Sequence, residues 1–142
     1  MKNSQLIDAA YQAIEDGDYS AAMRIFGESL EEKDGFDVRY GLAVCFFNRF
    51  LQGKYEGDLD MAIVNAQEAA DFYDDHFDVH LMLGQCYATK YLETEDETYR
   101  QKALEEYKKS RELASKRPDA DPRSLEKRVD ELAAELGCST WN

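Results

Sequence analysis

Phe36-Asp37-Val38-Arg39-Tyr40-Gly41-Leu42-Ala43-Val44-Cys45-Phe46 and Phe77-Asp78-Val79-His80-Leu81-Met82-Leu83-Gly84-Gln85-Cys86-Tyr87 are one stretch written twice, 41 residues apart. Phe, Asp, Val, Leu and Cys recur at identical places, and the same shift pairs Leu51 with Leu92, Glu56 with Glu97 and Ala62 with Ala103. A register that holds across so many residues marks an internal repeat, and a repeat decides the fold before any single motif does. Around it, apolar and small residues return every three or four positions and strict two-residue alternation is absent, so the chain reads as helical throughout.

Working outward, the spacing predicts helices over 4–16, 19–33, 36–52, 58–74, 77–93, 96–116 and 122–136. Asp18 after Gly17 and Asp58 after Gly57 stand where a carboxylate can accept the first free N–H groups of a helix. Thr94 with Glu97 has capping-box spacing, Asp121 precedes a proline suited to the first helical position, and Gly137 suits a stop. These segments make units of about 4–34, 36–75 and 77–116 plus a helix at 122–136, all within one domain, 1–142. Ala10/Ala22, Ala43/Ala62 and Gly84/Ala103 are the points where paired helices can approach closely, because only small side chains permit it. Helix 36–52 carries two apolar stripes, one of Val38, Leu42, Cys45, Phe46 and Phe50, the other of Tyr40, Val44, Phe47 and Leu51. A surface helix needs one stripe, so this helix is expected to be central. Leu125, Val129, Leu132, Ala133 and Leu136 share a single face, as befits a helix that closes a stack.

These residues resemble the tetratricopeptide repeat (TPR) family. Unit one offers Ala10, Ala13, Gly17-Asp18-Tyr19, Ala22, Phe26 and Ser29; unit two offers Ala43, Phe46, Gly57-Asp58-Leu59, Ala62, Ala66 and Ala69. Unit three offers Gly84, Tyr87, Ala103, Tyr107 and Ser110. Ala13 stands where the family has an aromatic, the Glu93–Thr98 turn lacks Gly-Asp, and the proline after the second helix is missing in units one and two. The resemblance implies an all-α solenoid of three antiparallel TPR-like helix pairs with a C-terminal capping helix. It also implies a concave groove lined by Ile7, Tyr11, Asp37, Tyr40, Val44, Phe47, Asn48, Asp78, Leu81 and Gln85. The family's carboxylate clamp is absent, since Ile7, Tyr11, Gly41, Asp78 and Met82 fill its places. The function so implied is that of a non-catalytic protein-binding module, adaptor or chaperone. Its partner would be an apolar or basic segment, helical or extended; the C-terminal helix or an identical subunit are the other candidates to cover the groove. Size and acidity are also similar to the TPR-type chaperones of bacterial type III secretion.

Composition narrows the partner from the other side. The 142 residues hold 30 Asp and Glu against 17 Lys and Arg, a net charge of −13, and the mean hydropathy is −0.65. Such a surface repels phosphate backbones and anionic lipid, which argues against nucleic acid and membrane. No stretch approaches the roughly 18 apolar residues of a spanning helix. Between Lys54 and Lys90 there is no Lys or Arg, while Glu56, Asp58, Asp60, Glu68, Asp71, Asp74, Asp75 and Asp78 supply eight carboxylates. Cys45, Cys86 and Cys138 are an odd count in a chain that needs no staples, and the opening residues form no apolar leader, so a reduced, cytoplasmic protein is expected. Cys138 is followed by four residues, one too many for a prenylation box.

No phosphate loop, nucleophile elbow, zinc-protease helix or EF-hand spacing occurs, so neither an enzyme nor a cofactor is expected. The alternative is a metal-binding or hydrolytic protein using His76, His80 and nearby carboxylates, because two imidazoles four apart on a helix can face one ion.

Overall fold

The structure, a computed structural model, describes residues 2–138; Met1 and residues 139–142, Trp141 and the terminal prenylation-box positions among them, lie outside it. Its helices are α1 (Asn3–Glu15), α2 (Tyr19–Glu32), α3 (Phe36–Gly53), α4 (Asp58–Phe72), α5 (Phe77–Thr94), α6 (Glu97–Leu113) and α7 (Pro122–Glu135). A short 3-10 turn, Ala114–Lys116, follows α6. No strand occurs among the described residues. The chain divides into two compact units, Met1–Tyr73 and Asp74–Asn142.

The helix ends follow local chemistry, with two corrections. Asp18 caps α2 by accepting the Ala21 N–H at 3.0 Å, and Asp121 caps α7, with Pro122 at the first helical position. Asp58, expected to cap α4, is instead its first residue, behind Gly57 at φ 86°. Its carboxylate is drawn away by Arg49, whose Nε and Nη2 donate to it at 2.8 and 2.6 Å. The charge-assisted pair outcompetes a backbone N–H for a carboxylate that is almost wholly buried. The Thr94–Glu97 capping box does not form either. Thr94 ends α5, and Asp96 caps α6 by accepting the Thr98 N–H at 3.0 Å. The repeat reaches even the stops: Lys54 after α3 and Glu95 after α5, 41 residues apart, both adopt the left-handed conformation, with φ 54° and 59°.

In the first unit α1 packs on α2, α3 on α4, and α2 and α1 on α3. Ala10, Ala22, Phe26, Val38, Leu42 and Cys45 form its core. Phe26 closes on Gly41, where an added Cβ would lie 2.1 Å from the ring. Full burial of such a ring is worth about 1.5–3 kcal/mol. Along α3, Ala43, Phe47 and Phe50 are buried as well as the Val38/Leu42/Cys45 stripe. The first stripe is thus covered, whereas of the second, expected to be buried too, only Phe47 is, with Tyr40 and Val44 half-buried. Leu51, of the same stripe, is 51 % exposed. Arg39 then ties the Asp34 loop to α4, donating to Asp34 at 2.8 and 2.9 Å, to Asn65 at 3.1 Å and pairing with Glu68 at 2.9 Å.

In the second unit α5 packs on α6 and α6 on α7. Tyr107, 1 % exposed, lays its ring on Gly84, where a Cβ would come within 2.4 Å. Val129 and Ala133 of α7 and Leu136 just after it are buried. Arg100 donates to the Leu136 carbonyl at 2.7 Å, satisfying an acceptor the helix end leaves open. Across both units Ala10, Ala22, Ala43, Ala62 and Ala103 have no exposed surface. These small residues are thus fully enclosed between their packed helices.

Candidate peptide-binding surface

Helical spacing brings Ile7 and Tyr11 onto one face of α1, and Asp37, Tyr40, Val44, Phe47 and Asn48 onto one face of α3. Tyr11 joins the two. Its hydroxyl donates to the Asp37 carbonyl at 2.6 Å and its ring meets Phe26 edge-on at 5.3 Å. Burial, reinforced by the Asp37 charge, pushes the Tyr11 hydroxyl pKa well above that of free tyrosine, so the group remains a donor. Ile7 and Asp37 also line a pocket of about 230 Å³ with Phe36 and Val38.

Tyr40 lies half-buried and parallel to Phe36, with ring centroids 5.8 Å apart and planes at 2°. Phe36 in turn meets Tyr73 edge-on at 6.0 Å. The row Tyr40, Phe36, Tyr73 extends the surface past the residues named from sequence. Phe36 could have been found there, because it stands four residues before Tyr40 and shares its helix face. Val44 is half-buried. The Asn48 amide is spent on its own helix, donating to the Val44 carbonyl at 2.8 Å. Phe47 is only 9 % exposed, so its ring belongs to the core between α3 and its neighbours and offers a partner almost no area.

In the second unit Asp78, Leu81 and Gln85 follow one another along a single face of α5, and all three are partly exposed. Asp78 is no bare carboxylate: Arg117 donates to it at 2.7 Å and stacks over Phe77 at 6.0 Å. A cation thus stands at a face whose first-helix residues include none.

The two histidines serve the structure in different ways. His76 caps α5, its Nδ1 accepting the Asp78 N–H at 3.2 Å. His80 is 3 % exposed. Its Nδ1 lies 2.6 Å from the Glu106 carboxylate and its Nε2 lies 2.6 Å from the Asp74 carbonyl. Both oxygens are acceptors, so the ring donates at both nitrogens when it is an imidazolium. Burial opposes that charge, yet the hydrogen bonds to Glu106 and Asp74 and their negative charges outweigh it, and the pKa lies above the ordinary histidine value. Among the described residues no three His, Cys, Asp or Glu side chains gather as a metal site. No helix there is long and apolar enough to cross a membrane. Cys45 and Cys86 are buried, reduced thiols. Burial pushes Cys45 up to about 12 and Cys86 higher still.

Successive helices packed in pairs, with fully buried alanines between them and an aromatic closing on a glycine, define the TPR-like helical-repeat fold. Solved structures share it. The Yersinia enterocolitica type III secretion chaperone SycD, in complex with a peptide of the translocator YopD, superposes with a TM-score of 0.73 at 19 % identity, over 94 % of this chain and 91 % of that one. PcrH of Pseudomonas aeruginosa, in complex with the chaperone binding region of PopD, gives 0.72 at 17 % identity, over 94 % and 90 %. TTC0263, a thermophilic TPR protein of Thermus thermophilus, gives 0.72 at 20 % identity, over 94 % and 67 %. At such identities the likeness establishes the fold. No family model matches the sequence, and no curated relative does.

Proposed function

We propose that this chain is a non-catalytic, cytoplasmic protein-binding module of the chaperone or adaptor kind. It would hold an apolar or basic segment of another protein against Ile7, Tyr11, Asp37, Tyr40 and Val44 of the first unit; the second unit by itself offers Asp78, Leu81 and Gln85 on α5. The observation that carries this reading is the pinned Tyr11 beside the stacked Tyr40 and Phe36. Rings held in place before a partner arrives lose little freedom on binding, so their area converts efficiently into affinity. SycD with its YopD peptide and PcrH with its PopD region supply the precedent for a chaperone on this fold. Charge supplies the partner's sign. Residues 1–73 hold 14 Asp and Glu against 6 Lys and Arg, a net charge of −8, which attracts a basic segment and repels an acidic one.

The test is co-purification from the native host with wild type and with Tyr40→Ala, each checked for fold by circular dichroism. The variant should lose the proteins that the wild type retains, and wild-type complexes should weaken as salt rises. A folded Tyr40→Ala that keeps every partner would overturn the assignment.

A further inference from the structure

A second surface lies on α4. Met61, Val64 and Phe72 are 44, 43 and 53 % exposed, and helical spacing sets them on one arc of the helix together with Asp60, Glu68 and Asp71. A single exposed apolar side chain is ordinary. Three on one arc are not, and the repeat itself shows why. Aligning the fully buried Ala62 of α4 with Ala22 of α2 and Ala103 of α6 puts Ala21, Arg24 and Glu32 at the three matched places in α2, and Lys102, Glu105 and Leu113 in α6. The helix pair therefore builds without a large apolar group at the first two places. Their presence in α4 is a property of this helix and not of the fold.

The charges around the arc decide what fits it. α4 contains no Lys or Arg. Asp60, Glu68 and Asp71 flank the apolar side chains, and the cation at Glu68, Arg39, is shared with Asp34. Tyr73, 52 % exposed, prolongs the surface past the helix end. A second copy of this chain would bring one −8 unit against another, and nucleic acid or anionic lipid would meet the same repulsion. We propose that the outer face of α4 docks a cationic amphipathic helix from another protein, whose apolar stripe covers Met61, Val64 and Phe72 and whose Lys or Arg residues meet Asp71 and the net negative charge of this unit. The proposal stands independently of the Tyr11/Tyr40 face, being carried by a different helix.

A fluorescein-labelled Leu/Lys amphipathic helical peptide of about 18 residues serves as the probe, read by anisotropy against the full chain; it spans the arc at about 1.5 Å per residue. Val64→Lys places a cation in the middle of the arc at an exposed site where the fold tolerates change. It should weaken binding roughly tenfold or more, as losing the centre of an apolar contact does, while Tyr40→Ala leaves binding within about twofold. Three outcomes overturn the proposal: Val64→Lys binding as wild type does, Tyr40→Ala losing as much as Val64→Lys, or a scrambled non-amphipathic peptide of the same composition binding equally well. Sedimentation of the protein alone adds a fourth, since a dimer abolished by Val64→Lys would assign the face to self-association.

Discussion

Replacing Gly84 by alanine tests the closest helix approach in the second unit, because two opposed effects must be summed. In the middle of a helix, glycine to alanine ordinarily stabilises by about 0.5–1 kcal/mol, since alanine loses less backbone freedom on folding. In α5 the new methyl would lie 2.4 and 2.5 Å from Cδ1 and Cε1 of Tyr107, where carbon atoms rest comfortably at about 3.5–4.0 Å. Tyr107 is 1 % exposed and has nowhere to retreat. Relieving an overlap of about 1 Å in a packed core costs about 1–3 kcal/mol. The net expectation is a loss of about 1–2 kcal/mol, or a Tm lowered by roughly 3–7 °C for a chain of this size. Gly27 supplies the control: it is exposed within α2, and an added Cβ there meets nothing within 4 Å. Gly27→Ala should therefore gain about 0.5–1 kcal/mol. Urea titrations followed by far-UV circular dichroism would measure both, and Tyr107→Leu in the Gly84→Ala background should recover part of the loss. A Gly84→Ala protein at least as stable as wild type would refute the packing of Tyr107 on the α5 backbone.

Two further outcomes are expected. His80 has a raised pKa in the folded protein, so its contribution to stability is fully present below the ordinary value of about 6.5 and is lost as pH climbs through the folded value; Tm measured from about pH 6 to pH 9 should show this loss, and His80→Phe should flatten it. With Cys45 and Cys86 buried and held as thiols while Cys138 is half-exposed, a thiol reagent at neutral pH should label Cys138 first and the other two only in denaturant, and rapid labelling of all three in the native protein would contradict the burial.

The helices and their pairing were legible because the features that announce them are local. A stripe repeating every three or four residues, an Asp before a run of alanines and a glycine after one are read along the chain, and the 41-residue shift doubled the signal. The observed helices begin and end within one to three residues of the expected segments, the last turn of 96–116 tightening into a 3-10 turn. The surface was less legible. Tyr11 and Tyr40 were expected at a groove and lie partly exposed on one surface, whereas Phe47 was expected beside them and is core. Periodicity assigns a residue to a helix face, but α3 has two apolar faces, and the sequence does not say how far a neighbour wraps around each.

What the sequence determined alone was the set of positions where helices must touch. Small side chains let two backbones come close, so Ala10, Ala22, Ala43, Ala62, Gly84 and Ala103 are readable from the sequence as enclosed positions. What only the tertiary structure decided was the use of groups with several options. Asp58 serves Arg49 and not the backbone of its own helix. His80 serves Glu106 on one ring nitrogen and the Asp74 carbonyl on the other. Met61, Val64 and Phe72 stay in water while Ala62 and Ala66 beside them do not. The reason is physical: a steric requirement is carried by the residue itself, whereas a charge or an apolar side chain takes whichever partner folding brings within reach.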